Sequence, residues 1–379
     1  MKILFVGSDS QLCGAGLSML QCITELERLG LDVVPVVHQG YTEQALAKQL
    51  KKHYIVNSKS WIVYRHISPL KQFLIILAKR IWNIYCYWQY IGIIRKENPD
   101  IVHVNVLTTY SIVLAALHEK KPIVWHIREM IEEDFNGRFW NPEKAHSLMK
   151  KVTTFIAISQ CVKRKYEIIT GPNKIKCIYN GIDTDTFLNR QHRILQQSPI
   201  VLTLAGRIHP SKGQLACLQD LTVLLKTNNQ IVLQFAGAGS DEHLREISKF
   251  CSDHGLNNKQ VKLLGKIADM RSLWGNTDIA IVYSKFEAFG RVTVEAQMSG
   301  VIVVGYNSGG TSELISDGKN GYLFGNGYNK LSDVIQRILS HPEKAQEIAL
   351  AGRERAATVF TSQNNAKQIL QVYQEILSR

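Results

Sequence analysis

Short apolar runs alternate with longer stretches of mixed polarity along most of the chain, and that rhythm predicts its architecture. KILFV (Lys2 to Val6) has the length of a buried strand and gives way to polar Ser8-Asp9-Ser10. Gly14-Ala15-Gly16 then opens an amphipathic stretch ending near Gly30. Strand, glycine-containing loop and helix in that order begin a doubly wound domain. LDVVPVV, DIVHV, PIVWHI (ending at His126) and FIAIS (Phe155 to Ser159) supply further strands, with a helix over Thr108 to His118 between two of them. A second series starts at PIVLTLAGRI (Pro199 to Ile208) and runs through IVLQFAG, VKLLGKI, DIAIVYS and the apolar run Val301 to Val304. Regular alternation of strand and helix predicts parallel sheets and an α/β fold. A length of 379 residues suits two such domains, placed by the pattern at 1–185 and 199–361, with a linker over 186–198 and a last helix from Ser362 to Leu377.

One stretch departs from the rhythm. Between Trp61 and Arg95 aromatic and basic residues accumulate. Leu70, Leu74, Leu77, Ile81, Ile84, Trp88 and Ile91 recur at helical spacing, with Lys71, Lys79, Arg80, Arg95 and Lys96 around them. Two readings are open: a core helix leading into DIVHV, or the same helix with its outer aromatic and basic side chains resting, through 61–96, on an anionic membrane surface.

Charge narrows the choice of partners. The formal net charge is +13, and it is uneven: residues 1–190 hold 25 Lys and Arg against 16 Asp and Glu, whereas the remainder holds 20 against 16. A basic half attracts nucleic acid, an anionic membrane or a phosphorylated substrate. Zinc-ligand spacings, RNP-like aromatic motifs and recognition-helix patterns are absent from the sequence, which disfavours nucleic acid. The seven cysteines are dispersed without a C-x-x-C pair and read as reduced thiols, so a cytoplasmic protein is expected. The opening apolar run is too short for a signal peptide, and no stretch is long enough to span a bilayer.

The densest chemistry lies in SKFEAFGRVTVEAQMSGVIVVGYNSGG, Ser284 to Gly310. If a helix begins at Gly290 or Arg291, Glu287 lies in the loop before it and Glu295 about one and a half turns inside. The first-turn amides of such a helix lack intrahelical partners and carry partial positive charge, which suits a phosphate. Carboxylates accept from paired hydroxyls, so two of them flanking an anion site point to a nucleotide sugar. Taken singly, Glu287 reads equally well as a helix cap and Glu295 as an exposed helical residue. Arg207 and Lys212, in GRIHPSKG between a strand and a helix, are two cations that would neutralise a diphosphate as it leaves, or else form a solvated basic turn. The G-x-G at Gly14 and Gly16 lacks the full dinucleotide fingerprint, since Met19 occupies its last position and no acidic residue ends LDVVPVV, which disfavours a nicotinamide dehydrogenase. Asp183-Thr184-Asp185 has the form of a metal-binding D-x-D but sits in KCIYNGID beside the expected linker, so no metal is expected.

The stretch resembles the E-x7-E signature of glycosyltransferase family 4, retaining enzymes of the GT-B fold. Ser284, Glu287, Phe289, Gly290, Glu295, Ala296, Gly300, Val303, Val304, Gly309, Gly310 and Glu313 fill its pattern, GRIHPSKG fits the family's G-R-x-x-x-x-K-G, and NGID matches the turn before its linker. The resemblance implies two Rossmann-like domains with parallel sheets facing an interdomain cleft, the last helix (362–379) crossing back to the first domain. It places Gly14 and Gly16 near the donor phosphates, Arg207 and Lys212 on the diphosphate, and Lys266 and Ile267 under the base. Glu287 with Ala288, Phe289 and Gly290 would fix the sugar, Arg291 and Val292 open the helix, Glu295 accept from ribose, and His126 face the donor sugar. Glu287, His126, Arg207 and Lys212 are thus the candidate catalytic residues. Arg291 departs from the apolar residue or proline common there.

The function so implied is metal-independent, cofactor-free transfer of a hexose-type sugar from a nucleotide diphosphate sugar, UDP by default, to a glycan or lipid-linked acceptor. Bacterial surface polysaccharide or lipopolysaccharide synthesis at the inner face of the plasma membrane is the expected setting. A nucleotide-sugar epimerase of the same fold, or an inactive sugar-nucleotide-binding subunit, would share the motifs; product analysis without acceptor separates the first and donor turnover the second.

Overall fold

A computed structural model describes residues 1–7, 14–49, 52–64, 68–188, 195 and 198–378. Contacts divide the chain into two compact units, residues 1–181 together with those from Ser362 onward, and residues 182–361.

The first unit runs β1 (Lys2–Val6), α1 (Gly14–Arg28), β2 (Asp32–Val37), α2 (Tyr41–Gln49), β3 (Tyr54–Ile55), β4 (Ile62–Tyr64), α3 (Pro69–Glu97), β5 (Ile101–Val104), α4 (Ser111–His118) and β6 (Ile123–Ile127). It continues with α5 (Ile131–Phe135), β7 (Gly137–Phe139), α6 (Pro142–Lys150), β8 (Thr154–Ala157), α7 (Gln160–Thr170) and β9 (Ile175–Cys177). Seven strands form one parallel sheet in the order β3-β2-β1-β5-β6-β8-β9, with β4 and β7 paired antiparallel beside it. Helices on both faces explain why β1, β5, β6 and β8 are buried along nearly their whole length. The order of strands reverses between β1 and β5, and in open sheets ligands bind outside the carboxyl ends at such a point.

The second unit holds α8 (Thr184–Phe187), β10 (Ile200–Ala205), α9 (Gln214–Thr227), β11 (Ile231–Ala236), α10 (Asp241–Asp253), β12 (Val261–Gly265), α11 (Met270–Gly275) and β13 (Ile279–Val282). After these come α12 (Arg291–Met298), β14 (Ile302–Tyr306), α13 (Thr311–Leu314), β15 (Tyr322–Phe324), α14 (Leu331–Ser340) and α15 (Pro342–Val359). Its six strands are parallel in the order β12-β11-β10-β13-β14-β15, so the reversal falls between β10 and β13. The last helix, α16 (Ser362–Leu377), belongs to the first unit: Ile369, Val372, Tyr373 and Ile376 share a core with Met19, Cys22, Ile23 and Leu26 of α1.

Two details differ from the sequence expectation. The units divide after Gly181 rather than at 185, because Ile182 bridges to Thr361 and donates its N–H to the Phe360 carbonyl at 2.8 Å. Most of the expected linker lies outside the described residues, and its first part, with Thr184, is the helix α8 of the second unit. Of the two readings open for the apolar row, the core one fails from Leu70 to Trp88, which face solvent, and holds only for Ile91, which is buried. Asn83, Cys86, Tyr90, Ile94 and Glu97 are the side of α3 that is buried. The helix is anchored partly by polar groups there: Asn83 accepts from Lys59 N and donates to Lys59 O, each at 2.8 Å, and Tyr90 donates to Ser58 at 3.2 Å. An inventory of apolar spacing does not see such a face.

At the carboxyl edge of the first sheet the connecting loops are held by one buried carboxylate. Glu129 accepts from the backbone N–H of Leu107 (2.6 Å), Thr108 (3.2 Å) and Arg128 (3.1 Å). Glu129→Ala leaves those donors without their acceptor, and an unpaired buried polar group is expensive. The variant should lose about 2–4 kcal/mol of unfolding free energy, and Glu129→Gln, which keeps one carbonyl acceptor, distinctly less. Equal denaturant midpoints for wild type and Glu129→Ala would show that the loop is held by something else.

Candidate active site

The strand order of the second unit brings together two loops that are some 75 residues apart in the chain, those following β10 and β13. After β10, Pro210–Lys212 forms one turn of 3-10 helix capped by His209, and Gly213 ends it at φ +75°. Gly213 lies so close to the other loop that a Cβ would sit 2.6 Å from the Tyr283 ring, which explains a glycine immediately after Lys212. Lys212 Nζ then meets Glu287 Oε1 at 2.5 Å, with the side chains 31% and 17% exposed. Arg207 is exposed at the head of the same loop, and among the described residues its guanidinium has no recorded partner.

Glu287 is positioned from below by the loop after β14. Gly310 donates its N–H to the Glu287 carbonyl at 2.7 Å. A Cβ at Gly309 would lie 2.7 Å from that same oxygen, and one at Gly310 2.7 Å from the Phe289 carbonyl. The paired glycines therefore let one backbone rest on another. Ala288 and Phe289 are buried, Phe289 lying edge-on to Phe360 at 6.0 Å. Gly290 turns at φ +96° to cap α12, whose first helical residue is Arg291. Val292 is half-buried in the first turn. Glu295 is buried, and Arg291 reaches it one turn along the helix, Nη2 to Oε1 at 3.3 Å. The Thr293 hydroxyl, buried between them in the chain, has no hydrogen-bond partner among the described residues.

Lys266 and Ile267 follow edge strand β12, exposed and half-buried respectively, and β11 and β10 separate that strand from β13. They share the carboxyl edge of the sheet with Lys212 and Glu287 but stand apart from that pair. Asp183 caps α8, accepting from Asp185 N at 3.1 Å and from the Thr186 hydroxyl at 2.5 Å. The D-x-D carboxylate is thus engaged in a helix cap. Among the described residues no three His, Cys, Asp or Glu side chains gather closely enough to hold a metal ion.

The first unit has a polar centre of its own at the carboxyl ends of β1, β5 and β6. His126 is fully buried; Arg128 Nη2 lies 3.4 Å and His103 Nε2 3.3 Å from its Nδ1. A guanidinium only donates, so Nδ1 accepts and the ring hydrogen is on Nε2, which has no partner among the described residues. His103 then donates from Nε2, and its Nδ1 accepts the Tyr373 hydroxyl hydrogen at 2.6 Å. Arg128 also donates to Asn105 (2.8 Å) and Asn180 (2.5 Å). Burial first, and the Arg128 charge second, hold both histidines well below the ordinary imidazole range, so both rings are neutral. Gly14 opens α1, exposed, and Gly16 is buried in its first turn; Asn105 donates to the Ala15 carbonyl at 3.4 Å. The rest of that expected anion-binding loop, residues 8–13, lies outside the described residues.

Two family models match in succession: "Glycosyltransferase Family 4" over residues 13–186 and "Glycosyl transferases group 1" over residues 185–355. The chain belongs to glycosyltransferase family 4. This glycosyltransferase is 24% identical over 334 residues to the capsular polysaccharide biosynthesis glycosyltransferase CapM of Staphylococcus aureus, covering 82% of this chain and 85% of CapM. Among solved structures it is similar to Anabaena HepE in complex with UDP, with a TM-score of 0.80 at 22% identity over 99% of this chain and all of that one. A glycosyltransferase from Rickettsia africae ESF-5 gives the same TM-score at 21% identity over 100% and 99%. The fold of the two units is GT-B.

Within this family 4 glycosyltransferase, Lys212 and Glu287 are in direct contact, as are Arg291 and Glu295, whereas His126 sits in a network that motif reading missed. His103, Asn105, Arg128, Asn180 and Tyr373 complete it. A polar residue inside an otherwise apolar parallel strand, as in IVHV and IVWHI, was the signal available for the two histidines. Imidazole 15N spectra of the glycosyltransferase should show His126 neutral and protonated on Nε2 down to pH 6; a hydrogen on Nδ1, or titration between pH 6 and 8, would contradict the network. The unfolded chain takes up protons on both rings as pH falls through about 6.5 while the folded chain does not. Stability that is complete above that pH should therefore decline below it, and replacing His103 by an apolar residue should flatten the decline.

Proposed function

We propose that this glycosyltransferase moves a hexose-type sugar from UDP-sugar to a glycan or lipid-linked acceptor, with retention of anomeric configuration and without a metal ion, in bacterial surface polysaccharide assembly. The observation that carries the donor reading is the Lys212–Glu287 pair, on the loop that also holds exposed Arg207 and on the loop that leads into α12. HepE, of similar fold, is described in complex with UDP and with UDP-glucose, and CapM acts in capsular polysaccharide biosynthesis. These likenesses support UDP as the nucleotide and a surface glycan as the product.

Magnitudes favour an exchange of partners on binding. A partly exposed lysine–glutamate pair contributes about 1 kcal/mol or less. Each charge-assisted hydrogen bond to a diphosphate is worth about 1.5–3 kcal/mol, so Lys212 gains by turning to the phosphate. Glu287 would then accept from sugar hydroxyls. Arg207 and Lys212, with the positive end of the α12 dipole, would hold the charge that grows on the departing diphosphate, the role a metal ion fills in other transferases. Arg291 keeps Glu295 in one orientation, and the carboxylate oxygens left over would accept from ribose. His126 offers a buried N–H on Nε2 that has no partner among the described residues. Retention follows if the acceptor attacks from the face the diphosphate leaves, with positioning and electrostatics supplying the acceleration.

Lys212→Ala and Glu287→Ala should each slow turnover by about 100-fold or more with the melting temperature little changed; near-normal rates in either remove that residue from the mechanism. Glu295→Gln should act mainly on donor KM, raising it by about tenfold. Activity should persist in chelator, and loss that magnesium restores would overturn the metal-free reading.

A further inference from the structure

The solvent-facing side of α3 has no part in donor chemistry. Leu70, Leu74, Leu77, Ile81, Ile84 and Trp88 follow one another at alternating steps of four and three, which places them in one row about 27 Å long. Their exposure runs from 45% at Leu77 to 74% at Leu70, and Phe73 and Tyr85 widen the row at 62% and 58%. Isolated exposed apolar residues are ordinary, but a contiguous row of this size marks a surface that is covered in use. The helix is fixed through its opposite side by Asn83, Cys86 and Tyr90, so the row is presented rather than loosely packed.

Charge identifies what covers it. From Pro69 to Lys96 the helix carries Lys71, Lys79, Arg80, Arg95 and Lys96 and no carboxylate, and Lys59 Nζ lies 5.6 Å over the ring of half-exposed Trp82. If two copies paired along this seam, Lys71 and Arg80 would flank it with no acidic residue on the exposed side of the helix to answer them, Glu97 being buried. A strand of lipid headgroups answers all of them. Apolar side chains enter the acyl boundary, tryptophan and tyrosine sit at headgroup depth, and the basic side chains meet phosphates. No helix among the described residues is long and apolar enough to cross a membrane, so α3 would lie in the plane of the surface.

We propose that the outward row of α3, with its flanking lysines and arginines, docks the first unit on an anionic membrane surface. This stands independently of the donor assignment, and its test uses no catalysis. The full chain is sedimented at low salt with vesicles of phosphatidylcholine alone, or of phosphatidylcholine with about one third phosphatidylglycerol. It should pellet with the second and hardly with the first, and added salt should release it. Leu74→Glu/Ile81→Glu, both at exposed positions, should weaken vesicle binding by about tenfold or more, and Lys71→Glu/Arg80→Glu likewise. Val223→Glu, at a 73%-exposed position on α9, should leave it unchanged. UDP binding, measured by calorimetry, should be the same in all of these variants. The proposal fails if wild type stays in the supernatant with anionic vesicles, or if Leu74→Glu/Ile81→Glu pellets as wild type does. It also fails if sedimentation velocity shows a wild-type dimer that this double variant dissociates, since the row would then be a self-association seam.

Discussion

Parallel pairing of β10 with β13 is the constraint on which the proposed donor site rests. The two strands are not consecutive, yet the reversal of strand order makes them neighbours, and everything at their carboxyl ends follows. One loop delivers a lysine and the other a glutamate, and the pair meets at 2.5 Å. The glycines around it are where the backbones touch: Gly213 against Tyr283, Gly309 and Gly310 against the 287–289 segment. A side chain at any of these would push the loops apart, so the small residues of the motif are there for proximity rather than for chemistry of their own.

The first unit handles polarity in a different way. Its centre is almost completely buried, and burial there makes the protonation states definite. Arg128 can only donate, so it decides which nitrogen of His126 accepts; desolvation then keeps His103 and His126 neutral. The C-terminal helix takes part through Tyr373, although it follows the whole of the second unit in the chain. Its return to the first unit therefore contributes to the order of the polar centre as well as to the apolar core it shares with α1.

α3 shows that an apolar period can be read correctly without saying which side of the helix is buried. Its outward row repeats with a regularity that would suit a core, while its inward side carries Asn83, Glu97 and Tyr90, polar groups satisfied by local partners. Hydrophobicity records which residues avoid water somewhere, and α3 avoids it on a surface. Arg291 is a parallel case: as a letter it departs from the family pattern, and in space it accounts for itself by holding Glu295.

By itself the sequence determined the α/β class, the succession of strands and helices, the helix starting at Gly290–Arg291, and the residues of the E-x7-E and G-R-x-x-x-x-K-G motifs. Those features are local: strand length, helical period and turn glycines act over a few residues and leave their mark on the order of letters. Tertiary structure alone decided that Lys212 pairs with Glu287, that His103 and Tyr373 orient His126, that the units divide at Gly181, and which side of α3 faces out. Each of these depends on which strands become neighbours and which helix face finds a partner, and chain order does not record adjacency between segments tens or hundreds of residues apart.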